Sequence, residues 1–405
     1  MSQFSLEGVF NEYLKTDPIF FNKQALTISY TPSNIPHRER QIKQLGIILA
    51  TALRGERPSN SFIYGSTGTG KTLVTQHVCN ALEEKSKQLN KNLKILYVNC
   101  KMKRVSDTEY RLLAYLCEIN KLEVPKTGLA TEQIYKYFFD SISNYDGVLI
   151  IILDEIDELV SKVGDTILYN LTRINQDFKK CKLSIIGISN NLSFSNEMDA
   201  RVKSSLSEEE LIFPPYNAVQ LTDILKHRAE ISINKGRIED GVIEKCSALS
   251  AQEHGDARRA LDLLRVAGEL AERKNKNKIT EEDVDVAQSK IDRDRINDAI
   301  KTQPKQSKLI LYTIISYFEK DDDENQNLLT GDVYDKYISL CKKIKQKYIT
   351  QRRLSDIISE LDMLGIINAK IISKGRYGRT REISLAIPLS TAFRIKKSIN
   401  QDLEI

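Results

Sequence analysis

Apolar residues along this chain follow two rhythms. In the first half, short continuous runs at Ser61–Tyr64, Ile95–Val98, Val148–Leu153 and Leu183–Ile188 read as strands covered on both faces. Between the runs, apolar positions recur every three or four residues. Ile42, Leu45, Ile48, Leu49 and Leu53 predict a helix over 37–54, and similar spacing predicts helices at 71–90, 107–119 and 131–143. Strands alternating with helices imply βαβ units, hence an α/β fold with a parallel sheet. Beyond Pro214 and Pro215 the strand rhythm stops. Helices are expected at 217–235, 240–252, 256–274 and 281–295, the last opened by Thr280 and Asp283 in a capping-box-like start. Residues 301–308 are polar and carry Pro304, as a linker would. Helices near 307–319, 328–345 and 350–364, a hairpin near 366–387 and a basic final helix complete the pattern.

Composition narrows the class. A chain of 405 residues predicts two or three domains. With 18 Gly and 9 Pro it is neither collagen-like nor a low-complexity linker. The six cysteines are never closer than 17 residues, which excludes zinc ribbons and thioredoxin-type chemistry and fits free thiols in a reducing compartment. Four scattered histidines make no metal or triad constellation. The longest aliphatic run, Val148–Leu153, is far too short for a membrane span, and Met1–Glu7 lacks the basic and apolar regions of a secretory signal, so no membrane partner is expected.

The strongest chemical signal is Gly65, Ser66, Thr67, Gly68, Thr69, Gly70, Lys71 and Thr72, a G-x-x-x-x-G-K-[ST] loop between a predicted strand and helix. Glycines let the backbone wrap phosphates and aim N–H groups at them, and the new helix adds its positive end. Lys71 would reach the terminal phosphates of ATP or ADP, and the Thr72 hydroxyl would ligate Mg²⁺. The run Leu149–Leu153 then delivers Asp154 and Glu155 to a strand's C-terminal edge, where α/β sheets bind ligands. Asp154 suits Mg²⁺, and Glu155 suits activation of an attacking water. Asp157 and Glu158 suit the first turn of a helix. Asn190 ends another strand, either polarising water at the γ-phosphate or serving as a turn residue. Arg258 and Arg259 are neighbours on a helix, so about 100° separates them and only one can face a nucleotide; a solvated basic face is the other reading.

Charge is uneven. Residues 301–405 hold 19 Lys/Arg against 13 Asp/Glu, whereas residues 1–300 are nearly neutral, so the net +5 belongs to the C-terminal part. Within 341–381 eleven basic residues face only three acids. Gln351, Arg352 and Arg353 open a helix whose Leu354, Ile357, Ile358, Leu361 and Leu364 face a core. Lys374, Arg376, Tyr377, Arg379 and Arg381 form a glycine-bearing hairpin tip and flank. Helix, helix and basic hairpin read as a winged helix-turn-helix that binds double-stranded DNA. A lysine-rich solvated face is the bland alternative.

These motifs together resemble an AAA+ ATPase, and most closely the archaeal origin-recognition and cell-division-control replication initiators. Asn34 to Glu39, Ile63 to Thr72, Tyr97 to Cys100, Val124 to Leu129, Ile152 to Asp157, Gly187 to Asn190, Arg201 to Ser205 and Gly255 to Arg258 carry the resemblance, over about 23–395. It implies a doubly covered AAA+ sheet with a helical lid and a winged-helix domain. Lys71, Thr72, Asp154 and Glu155 become Walker residues, and Asn190 and Arg258 become the two sensors. Arg201 takes the arginine-finger place, and Ile35, His37 and Arg38 lie over adenine. The stretch 101–130 becomes a DNA-touching insert, although Lys101 to Arg104 is more basic than the family pattern, and Ala200 stands where Pro is common. The expected partition is an N-terminal tail (1–22), nucleotide-binding base (23–214), lid (215–298), linker (299–307), winged helix (308–396) and C-terminal tail (397–405). The implied function is ATP-dependent binding of origin DNA, recruitment of the replicative minichromosome-maintenance helicase, cooperation with paralogous initiators and slow hydrolysis as a switch, in a cytoplasmic, nucleoid-associated protein. A branch-migration motor and a nucleotide-switched transcriptional regulator share the same motifs.

Overall fold

The computed structural model describes residues 17–403 apart from 33, 103–107, 126–127, 174, 176–177, 179, 193, 195–197, 207, 320–327 and 374–378. Contacts divide the chain into two compact units, Met1–Val284 and Asp285–Ile405. Among the described residues, no helix is long and apolar enough to cross a membrane.

The first unit is built on β1 (Ser61–Tyr64), β2 (Leu93–Asn99), β3 (Gly147–Asp154), β4 (Cys181–Ser189) and β5 (Glu209–Ile212). All pair in parallel, in the order β2-β3-β4-β1-β5. Helices α1 (Glu39–Ala50), α2 (Lys71–Gln88), α3 (Glu109–Ile119), α4 (Thr131–Ser143), α5 (Ile156–Val163), α6 (Thr166–Arg173) and α7 (Ala200–Leu206) accompany it. Strand β3 explains its own sequence. Val148, Ile150 and Ile152 enter one apolar core, with Val74 and Val78 of α2. Leu149, Ile151 and Leu153 enter the other, with Leu112, Leu116 and Phe138 of α3 and α4. A strand with period two and both faces covered must be apolar at every position.

Four expected strands are present, and β5 is additional. Its Glu209, Glu210 and exposed Ile212 form an edge strand with no apolar run to betray it. Helices α6 and α7 also escaped the periodicity reading, being only eight and seven residues long, whereas α5 opens with Asp157 and Glu158 in its first turn, as expected.

A helical layer follows: α8 (Ala218–Glu230), α9 (Val242–Gln252), α10 (Ala257–Arg273) and the start of α11 (Glu281–Lys301). Residues 17–26, whose first part was expected as tail, pack into this layer. Ile19 and Phe20 are buried. Ile19 N–H donates to Glu272 Oε1 at 2.9 Å, and Phe21 N–H donates to the Ser232 carbonyl at 3.0 Å. The Phe20 ring fills the groove left by Gly268, where a Cβ would stand 2.3 Å from Cζ.

The second unit contains α12 (Lys305–Phe318), β6 (Leu328–Leu329), α13 (Thr330–Lys343), α14 (Gln351–Met363), β7 (Ile367–Ser373), β8 (Arg379–Leu385) and α15 (Leu389–Leu403). The strands form an antiparallel sheet, β6-β8-β7. Leu309, Ile314, Tyr337, Leu354, Ile358 and Ile383 form its core. Two expectations shift here. Helix α11 continues to Lys301 and α12 opens at Lys305, so the linker shrinks to three residues. The expected C-terminal tail is largely helix, with Ile399 buried.

Candidate functional site

The phosphate-loop backbone dictates its residues. Gly68 (φ 68°) and Gly70 (φ 90°) occupy left-handed conformations that a side chain disfavours. Gly68 also has no room, because an added Cβ would fall 1.6 Å from Asp256 Oδ1. Asp256 caps α10, accepting from Arg258 N–H at 2.8 Å, and Ala257 N–H donates to the Gly68 carbonyl at 3.3 Å. The helical layer thus closes directly on the loop.

A cavity of about 310 Å³ opens there. Gly68, Thr69, Gly70, Lys71 and Thr72 line it, as do Asp154, Glu155, Asn190 and Arg258. Segments from β1–α2, β3, β4 and α10 therefore converge on one space. Lys71 Nζ donates to the carbonyls of Gly65 at 2.8 Å and Ser66 at 2.7 Å. Burial pulls its pKa down to about 8, against the attraction of Asp154. Gly65 and Ser66 serve the site through these carbonyls, while Thr67 is exposed.

Asp154 is buried and fully engaged. Its Oδ2 accepts from Thr72 Oγ1 at 2.8 Å and from the Tyr97 hydroxyl at 2.7 Å, and its Oδ1 accepts from Glu155 N–H at 3.0 Å. Glu155 has φ 56°, a strained conformation for a residue with a side chain. Its Oε2 is buried without a hydrogen-bond partner, and Lys101 Nζ stands 3.9 Å away. Burial, helped by Asp154, Asp157 and Glu158, lifts the Glu155 carboxyl above the usual carboxylate range, with Lys101 opposing. An acid held this way suits proton acceptance from water.

Of the two adjacent arginines, Arg258 faces the cavity, while Arg259 turns to Glu253 at 3.3 Å. Ile35 and Pro36 line the cavity beside Ile224 and Leu261. His37 and Arg38 lie outside the lining. His37 Nε2 meets Asp223 Oδ2 at 2.9 Å, and Arg38 is buried behind the loop. Arg201 is also outside this lining. It holds Asp199 at 3.0 Å and lies over the Tyr169 ring at 5.4 Å, with most of its side chain exposed.

Two groups were missing from the sequence reading. Tyr97 ends up beside Asp154 because β2 and β3 are neighbours, with Asn99 opposite Asp154. The segment Thr27 to Pro32 forms one wall of the cavity, tied down by Arg228, which donates to the carbonyls of Ala25 at 2.9 Å and Tyr30 at 3.4 Å. A pattern of Ser, Thr and Pro in 27–36 offers only loop chemistry as a clue. Helix α3 and the following loop of the expected insert are mostly described. Leu112, Leu113 and Leu116 are buried, while Lys103 and Arg104 lie outside the described residues.

In the second unit, Thr350 caps α14 by accepting from Arg353 N–H at 3.4 Å. Gln351, Arg352 and Arg353 are exposed at its first turn. Arg353 reaches back to Glu360 at 3.3 Å. Lys374, Arg376 and Tyr377 lie outside the described residues. Arg379 opens β8. Arg381 points inward, contrary to the expectation of a DNA contact. Its Nη1 donates to the Ser355 carbonyl at 2.7 Å and bonds Ser359 Oγ, while its N–H donates to Thr330 Oγ1 at 3.3 Å. A half-buried guanidinium spent on α14 fixes the strand against the helix.

Residues 54–193 match a family model described as an AAA domain, 222–289 the Cdc6 AAA+ ATPase-type lid domain, and 298–394 the CDC6 C-terminal winged helix domain. The ORC1-type DNA replication protein 1 of Methanosarcina acetivorans is 52% identical over 391 residues, 96% of this chain and 93% of that protein. The ORC1-type DNA replication protein of Pyrococcus furiosus is 49% identical over 409 residues, 100% of this chain and 95% of that protein. Among solved structures, the Aeropyrum pernix ORC1 protein in complex with DNA is similar with a TM-score of 0.83 and 42% identity, covering 95% of this chain and 97% of that one.

Proposed function

The chain belongs to the ORC1-type DNA replication proteins, AAA+ ATPases with a winged-helix domain, and from this premise we propose that it is an ATP-switched initiator that binds duplex origin DNA and brings the replicative helicase to it. The observation that carries the reading is the convergence of Gly68–Thr72, Asp154, Glu155, Asn190 and Arg258 on one cavity. A volume near 310 Å³ lies at the lower end of small-ligand pockets, about 300–1,000 Å³.

The donor set suits ATP with Mg²⁺. Thr72 Oγ1 and Asp154 Oδ2, 2.8 Å apart, are hard oxygen donors at the loop. Thr72 and Asp154 would hold Mg²⁺, which would supply charge neutralisation to the phosphates. Lys71 and Arg258 supply the protein's positive charge beside them. Glu155, with a raised pKa and an unpartnered Oε2, accepts a proton from the attacking water, and Asn190 orients that water or the γ-phosphate. Arg201, exposed and outside the lining of its own cavity, acts on the nucleotide of a neighbouring paralogous initiator. Slow hydrolysis then serves as a timer.

In the second unit, Arg352 and Arg353 at the exposed start of α14 meet the major groove, and the basic residues Arg376 and Arg379 contact the minor groove or phosphates. The DNA-bound A. pernix relative supports this reading. The decisive experiment is titration of ATP into the wild type and Lys71→Ala. Losing the phosphate-facing charge is expected to weaken binding at least about 100-fold. Equal affinity in the two proteins removes the nucleotide assignment.

A further inference from the structure

Arg38 is among the largest fully buried side chains of the molecule, 2% exposed. Its guanidinium forks between two segments distant in sequence. Nε donates to the Thr69 carbonyl at 2.9 Å, and Nη2 donates to the Pro214 carbonyl at 2.6 Å. Nη1 reaches the His37 carbonyl at 3.3 Å. Its Cζ lies 3.8 Å from the centre of the Tyr216 ring and 5.6 Å from that of Phe213. No carboxylate stands in ion-pair contact with Arg38 among the described residues. Burial dominates and lowers its pKa, opposed first by Tyr216 and then by a longer-range attraction to Glu39.

The two anchored segments have different duties. Thr69 belongs to the phosphate loop, and its carbonyl direction is set by how that loop wraps. Pro214–Tyr216 is the crossing from β5 to the helical lid. Phe213 N–H donates to the Tyr64 carbonyl at 2.9 Å on the sheet side, and Tyr216 N–H donates to the Gly255 carbonyl at 3.3 Å on the lid side. Gly255 immediately precedes Asp256, which sits against Gly68, and Arg258, which lines the cavity. A buried cation without a carboxylate depends on these neutral acceptors, so displacement of either segment strands a charged donor away from water. Lysine could not replace it, because one ammonium cannot span both carbonyls and stack on Tyr216.

We propose that Arg38 is a positioning residue that ties the conformation of the phosphate loop to that of the lid hinge at Pro214–Tyr216, so that nucleotide held by the loop fixes the hinge through this guanidinium. The proposal rests on the nucleotide reading above, and it assigns Arg38 a role distinct from packing over adenine.

Hydrogen–deuterium exchange of the full chain with and without ATP and Mg²⁺ tests it, followed at the phosphate loop (65–72) and at the hinge (213–217). In the wild type, ATP is expected to slow exchange in both segments. In Arg38→Gln at saturating ATP, the loop is expected to stay protected while hinge protection is lost, with ATP bound about tenfold more weakly. Circular dichroism checks folding, and if the glutamine variant is unfolded, Arg38→Lys carries the test with the same expected split. A folded variant whose hinge is protected as in the wild type overturns the proposal, as does a wild type whose loop responds to ATP while its hinge does not. If ATP protects neither segment of the wild type, the nucleotide reading fails first, and Lys71→Ala will be indistinguishable from it.

Discussion

The two units solve recognition in opposite ways. In the first, the chemistry is buried and convergent: Lys71, Asp154 and Arg38 are each almost inaccessible, Lys71 is held by its own loop, and Asp154 and Arg38 bond distant segments of the chain. In the second, Gln351, Arg352 and Arg353 stand exposed on one turn of one helix. A buried site concentrates its energy in a few strong bonds whose geometry the fold enforces. An exposed basic surface spreads its energy over several screened contacts, each worth little. The first arrangement suits a switch with discrete states, and the second suits graded, salt-sensitive grip on a polyanion.

That contrast can be broken at several points. The largest effect is expected at Gly68→Ala. A methyl group there meets Asp256 Oδ1 at 1.6 Å on a backbone with φ 68°. The Asp256 side chain must leave its place on the loop and the backbone is strained, and ATP affinity should fall about 100-fold or more. Calorimetric titration checks this, and a near-normal affinity would show that the loop–lid contact is dispensable. Tyr97→Phe comes next. Removing the hydroxyl that donates to Asp154 Oδ2 leaves that carboxylate held by fewer bonds. The Mg²⁺ concentration for half-maximal ATP binding should rise about tenfold, and an unchanged requirement would mean that Thr72 and the Glu155 N–H orient Asp154 unaided.

The second unit offers a finer pair. Arg381→Gln removes guanidinium bonds to Ser355 and Ser359 from a half-buried position. Melting of that unit should drop by about 5 °C, from a loss of about 1 kcal/mol in a domain of this size. Its DNA-binding salt slope should stay unchanged, because no phosphate contact is lost. Arg352→Ala, the smallest change, should weaken DNA binding only about threefold, leave melting intact and reduce the salt slope by about one. If the two variants exchange these signatures, Arg381 is the contact and Arg352 is not.

Much of this fold is legible locally. Strand β3 is visible as an apolar run because both of its faces are covered. Helix α14 is visible because Leu354, Ile357, Ile358 and Leu361 share one buried stripe. Strand β5 is not legible, because an edge strand bearing Glu209 and Glu210 has no pattern apart from its neighbour β1. Residues 17–22 look like tail for a related reason. Ile19 and Phe20 are too few to show a period, and only the groove at Gly268 and the acceptors Glu272 and Ser232 make them structural.

The sequence by itself determined the longer helices and the covered strands, the phosphate loop, the acidic strand end and the basic helix start. Each depends on residues within a few positions of one another, so local periodicity, glycine conformation and charge suffice. Tertiary structure decided what those residues face. Strand order placed Tyr97 on Asp154. The rotation of α10 chose Arg258 over Arg259 for the cavity. Bonds to the Thr69 and Pro214 carbonyls hold Arg38 outside the cavity lining, and the packing of β8 on α14 turned Arg381 inward. The side chains of Tyr97, Arg38 and Arg381 are long and polar, and they reach hydrogen-bond acceptors that are distant in sequence. Their direction is therefore fixed only when the chain brings those acceptors within reach.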